Sequence, residues 1–95
     1  MTLLVRLHGK AGRGERLSAI LQPVAKDNDI AGCLGIEVFR NSVDGDDFLL
    51  LERWESVADH QAHIARVEKV GGFKEMQENV DSVTRTYHPE DQQQS

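Results

Sequence analysis

The sequence predicts an α+β fold whose elements run strand, helix, strand, strand, helix, strand, and three observations carry that prediction. Apolar residues recur at helical spacing after Glu15 and again after Ser56. Between these stretches, two β-rich segments flank an Asp-Gly turn signal. A short β-rich run lies near each end of the chain and supplies a first and a last strand.

The first strand is Thr2 to His8, "TLLVRLH", and Gly9, Gly12 and Gly14 after it mark a loop. These are turn residues and not a phosphate cradle, because "GKAGRGERL" has neither the Gly-x-Gly-x-x-Gly register nor a terminal Lys-Ser/Thr. From Glu15 onward Leu17, Ile20, Leu21, Val24 and Ala25 fall at i, i+3, i+4, i+7 and i+8, one stripe of a helix. Pro23 should bend this helix or mark a boundary within it, and "KDNDIAG" ends it.

Residues 33 to 41, "CLGIEVFRN", and 47 to 55, "DFLLLERWE", form a hairpin through "SVDGD". In the second of them Phe48, Leu50, Glu52 and Trp54 point to one face, and Leu49, Leu51, Arg53 and Glu55 to the other. Leucines on both faces call for cover on both. Helices would supply one side and a second sheet the other, which a second copy of the chain could bring.

Ser56 with Asp59 reads as a helix N-cap and an acidic first turn, starting a helix that runs to about Val67. Gly71-Gly72 interrupts it, and "FKEMQENV" is a further helical segment with Phe73, Met76 and Val80 on one side. Ser82 to His88, "SVTRTYH", is the last strand. The order is the ferredoxin-like βαββαβ pattern, a four-stranded antiparallel sheet with both helices on one face. Residues 1–88 make one domain, and the polar 89–95, opening on Pro89, form a disordered tail.

Composition narrows the function classes. Lys and Arg number 11 against 16 Asp and Glu, a net charge of -5, and no basic tract occurs, so neither nucleic acid nor an anionic membrane is an expected partner. A chain of 95 residues buries only roughly two-thirds of its unfolded surface, which makes assembly with a second copy a reasonable expectation. The single cysteine, Cys33, cannot form an intrachain disulfide and fits a reducing cytoplasm. The apolar run at the N-terminus is too short for a signal peptide or a membrane span.

Four side chains are candidates for chemistry. Trp54 is either a core or interface anchor or a flat wall against an aromatic substrate. Glu52 shares its face; burial would raise its pKa unless Arg6, Arg85 or Tyr87 came near as a partner. On the helical wheel Val57, His60, Ile64 and Val67 cluster, so His60 faces the sheet as a core histidine or a proton acceptor. His63 lies at the edge of that stripe, four residues after Asp59, a spacing that can raise its pKa. No third ligand accompanies the two histidines at a suitable spacing, so no metal is expected. Cys33 should be buried and inert.

"AGCLGIEVFRN" followed by "FLLLERWESVADHQAH" resembles the antibiotic biosynthesis monooxygenase (ABM) family. In that family a Gly-Cys opens the second strand, an acidic-x-Trp motif closes the third, and a histidine follows in the helix. Here these are Glu52-Arg53-Trp54 and His63, while "KAGRGERL" is similar to the family's Lys-x-Gly stretch; the likeness covers roughly residues 2–88. The resemblance implies a dimeric α+β barrel, two subunits packed sheet against sheet, with a pocket between sheet and helices in each. It also implies oxidation of a phenol, quinol or related aromatic by molecular oxygen with no cofactor or metal. In such a reaction Trp54 would wall the pocket and His60 would accept the phenolic proton. Two alternatives stand beside it: a non-catalytic dimeric module that binds a small molecule, and heme binding or degradation through His63 or His60. The heme-degrading branch carries an asparagine on its first strand, and "TLLVRLH" has none.

Overall fold

Alternation of apolar and polar residues in Thr2–Gly9 (β1) sets the frame: Leu3, Val5 and Leu7 are buried while Arg6 and His8 are exposed. This is a computed structural model, and it describes residues 1–26 and 29–89. Around β1 lie Cys33–Arg40 (β2), Asp47–Trp54 (β3) and Val80–His88 (β4), all antiparallel in the sheet order β2-β3-β1-β4. Three helices join them: Gly14–Lys26 (α1), Val57–Lys69 (α2) and Lys74–Asn79 (α3). The expected ferredoxin-like α+β order is therefore present, with its second helical stretch divided in two.

Register decides which side chains meet. Leu3 faces Glu52 on one side and Tyr87 on the other; Val5 lies between Leu50 and Arg85, and Leu7 between Phe48 and Val83. These rows form the inner face, where Leu3, Val5, Leu7, Phe48, Leu50 and Trp54 pack with Leu17 and Leu21 of α1 into one core. The opposite face carries Leu4 and Leu51, half-buried, with Leu49 and Phe39 40% and 49% exposed. Arg6 belongs to this outer face and pairs there with Asp47 at 3.0 Å.

Pro23 sits inside α1 and is no boundary; the helix runs on to Lys26. The second helix passes the expected end near Val67 and reaches Lys69, and its N-cap is as read: the Ser56 oxygen accepts from the Asp59 amide at 3.1 Å. Val80, assigned from the sequence to a helical face, instead opens β4, since its partner is Gly9 of β1. Period alone could not separate the last residue of a short helix from the first of the following strand. The expected tail at 89–95 lies outside the described residues beyond Pro89, as do two residues of "KDNDIAG".

The glycine loop has a structural job. Both oxygens of the Asp46 carboxylate are engaged by backbone amides, from Gly12 at 3.0 Å and Gly14 at 2.8 Å, which ties the start of α1 to the β2-β3 turn. A Cβ at Gly14 would run into the Gly45 carbonyl and the Asp46 carboxylate. Gly14→Ala is thus expected to lower the stability by about 1–3 kcal/mol, as overpacking against backbone does. Urea denaturation measures this; an unchanged midpoint would mean that the loop is loose in solution.

Candidate functional site

The inner face of the sheet does not meet the helices everywhere. A cavity of about 310 Å³ opens between them, walled by apolar side chains such as Val5, Leu50, Ile20, Ile64, Phe73 and Met76. Four side chains with polar groups reach it: Glu52 from β3, Arg85 from β4, and His60 and His63 from α2. Such a setting, apolar with a few convergent polar groups, is the usual form of a small-molecule site.

Trp54 stands one layer behind this wall. It is fully buried, and its Nε1–H donates to Glu52 Oε1 at 2.9 Å. The two residues are two apart on one strand, so the pleat puts them on the same face. Above the indole lie both histidine rings: His60 edge-on, centroids 5.1 Å apart, and His63 tilted at 5.2 Å. Trp54 is not among the side chains that line the cavity, but it adjoins Glu52, His60 and His63, which are.

His60 faces inward as the helical wheel indicated and is only 2% exposed. Its Nδ1 shares a hydrogen bond with the Tyr87 hydroxyl at 2.8 Å, and the Tyr87 ring meets the imidazole edge-on. In the tautomer whose Nδ1–H donates to Tyr87, Nε2 is the lone-pair nitrogen; in the other, the Tyr87 hydroxyl donates to Nδ1 and Nε2 carries the proton. Burial, then the charge of Arg85 and the neighbouring His63, lower the pKa of His60 to about 4. At neutral pH the ring is uncharged.

His63 departs from its expectation. Asp59 was to raise its pKa, yet the Asp59 carboxylate accepts from the Ser56 hydroxyl at 2.8 Å and serves the cap. Burial and then the Arg66 charge move the His63 pKa down instead. For Glu52 burial pushes the pKa up, against the Trp54 hydrogen bond and the Arg85 charge, which pull it down. Of the three partners considered for Glu52, Arg85 acts by charge alone, Arg6 is on the other face, and Tyr87 serves His60. That Tyr87–His60 link was missed; alternation of Val83, Arg85 and Tyr87 puts Tyr87 on the inner face of β4 but names no partner for it.

Among the described residues no group of three or more His, Cys, Asp or Glu side chains could hold a metal ion, and no helix is long and apolar enough to cross a membrane. Cys33 is half-buried, and burial pushes its thiol up, away from the reactive thiolate.

The sequence profile of the antibiotic biosynthesis monooxygenase family matches residues 1–79. No curated protein matches the chain. Among solved structures, a Pseudomonas aeruginosa protein superposes with a TM-score of 0.74 at 22% identity, covering 93% of this chain and 90% of its own. A Shewanella oneidensis protein gives 0.76 at 22% identity over 92% of this chain and 87% of its own. A candidate antibiotic biosynthesis monooxygenase from Deinococcus radiodurans gives 0.73 at 19% identity, over 100% and 98% of the two chains. At these identities the likeness is one of fold.

Proposed function

The chain belongs to the antibiotic biosynthesis monooxygenase family, and from that premise we propose that it is a cytoplasmic monooxygenase that oxidises a quinol, phenol or related aromatic with molecular oxygen, without a cofactor. One observation carries the reading: an uncharged imidazole, His60, is held by Tyr87 at the wall of a largely apolar cavity.

The chemistry asks little more of a protein. His60 Nε2 accepts the proton of a phenolic hydroxyl while Nδ1–H stays bonded to Tyr87. The phenolate passes one electron to oxygen, giving a phenoxyl radical and superoxide, which join at ring carbon. The imidazolium returns its proton to the peroxide so formed, and the ring hydroperoxide loses water to leave a quinone. In balance, phenol and one oxygen molecule give quinone and one water, with all electrons from the substrate. The apolar walls orient the ring and keep bulk water away.

A homodimer completes the reading. The outer face of the sheet, with Leu4, Leu49, Leu51 and Phe39, offers an apolar surface to a second copy. Light scattering at micromolar protein is expected to give twice the chain mass, and a monomer would remove this part. The reaction is tested by oxygen uptake with a panel of naphthols, quinols and anthrones. Uptake above the buffer rate, with one water formed per oxygen, is expected. Uptake equal to buffer across the panel would leave the cavity as a binding site without chemistry.

A further inference from the structure

Among the described residues Arg85 is the one Lys or Arg side chain that lines the main cavity, and it is also exposed to solvent. Arg6 is paired with Asp47, Arg40 with Glu15, and Arg13 donates to Asn79. The Arg85 side chain makes no hydrogen bond or ion pair among the described residues, and it acts on Glu52 and His60 by charge. The Glu52 carboxylate, which lines the same main cavity, accepts from the Trp54 indole, and Glu68 lines the smaller cavity beside Arg85.

Its position is set by register. Arg85 lies opposite Val5 on the inner face, two residues before Tyr87, a spacing of roughly 7 Å along a strand. It lines the main cavity and also a smaller one of about 220 Å³ between α2 and β4, and His60 lines both as well. A guanidinium and an uncharged imidazole thus border the same space. The first is a rigid fork that matches a carboxylate, and the second can take a hydroxyl proton.

Size limits what lies between them. A cavity of about 150 Å³ holds benzene, so the main cavity, at about 310 Å³, suits one ring or two fused rings. We infer that Arg85 makes this cavity selective for aromatic acids of one or two rings, its guanidinium holding a carboxylate that neighbours the hydroxyl presented to His60. The inference rests on the reading of this cavity as the substrate site, and it adds the acid group and the ring count.

Calorimetric titration of the intact protein with 1-hydroxy-2-naphthoate and with 1-naphthol separates the terms. Wild type is expected to bind the acid about tenfold or more tightly than the naphthol, the scale of one charge-assisted hydrogen bond. Arg85→Gln should lose that preference and keep its affinity for 1-naphthol; Arg85→Lys should retain part of it. Equal affinity for the two compounds in wild type, a preference that survives in Arg85→Gln, or binding of neither at millimolar concentration would each overturn the assignment. Oxygen uptake with the same compounds reports separately. Acid-selective binding without uptake keeps the role of Arg85 and removes the oxygenase reading, whereas uptake from both compounds without selectivity does the reverse.

Discussion

Trp54→Ala is expected to lower the stability by about 3–5 kcal/mol, the cost of emptying a fully buried tryptophan site. For a domain of this size that is a melting temperature lower by at least about 12 °C. Lost volume is half of the argument. The indole also holds Glu52 by its N–H and supports both histidine rings, so the substitution loosens every polar group at the cavity except Arg85. Trp54→Phe isolates the hydrogen bond. It keeps a ring in the core but leaves a buried carboxylate without its donor, at about 1–3 kcal/mol. The sign with pH follows from Glu52, whose folded pKa is raised. A group so shifted favours the folded state at low pH and ceases to do so as pH rises through its folded pKa. Without the Trp54 donor that pKa rises further, so the deficit of Trp54→Phe relative to wild type should be larger at pH 8 than at pH 5. Urea midpoints at the two pH values measure this, and a deficit independent of pH would mean that Glu52 keeps the same charge at both pH values in both proteins.

The leucines of β3 show what a sequence can say about this fold. Their presence at both odd and even positions gave two faces to cover, and the structure covers one with helices. The order of elements along the chain and the inward turn of His60 were legible because each follows from a period of two or of 3.6 residues. The site was legible only in part. Glu52 and Trp54 share a face by alternation, but whether a tryptophan lines a cavity or stands behind it depends on how far the helices stand from the sheet. Likewise Asp59 lies at the right spacing for His63, yet a serine three residues before it competes for the carboxylate and wins. Spacing names the possible partners; competition among them is settled in three dimensions. Tyr87 reaches His60 across 27 positions of sequence, and no local pattern joins the two.

His60→Ala is expected to lower the turnover of oxygen-consuming substrates by about 10²–10⁴-fold, the usual worth of a positioned general base. Its pH behaviour distinguishes it from an ordinary histidine. A pKa of about 4 makes the free ring a weak base, but a phenolate formed beside it is an opposite charge that favours the imidazolium, so proton transfer and anion formation assist each other. Because the ring stays neutral down to about pH 4, turnover should hold between pH 7 and pH 5, where a solvated histidine would already be titrating. Stability moves over the same window. The unfolded chain takes up the His60 proton near 6.5 and the folded protein only near 4, so the unfolded state binds more protons between them. Stability is then highest above 6.5 and declines as pH falls toward 4, by up to roughly 3 kcal/mol from this group. His63, also shifted down, acts in the same sense, and Glu52, shifted up, acts against both. His60→Gln removes only the His60 contribution, so its stability should fall less steeply on acidification than that of wild type in parallel urea titrations. If wild type and His60→Gln lose stability in parallel, while turnover falls with a midpoint near 6.5, the imidazole is solvated and titrates as an ordinary histidine, which overturns the buried acceptor.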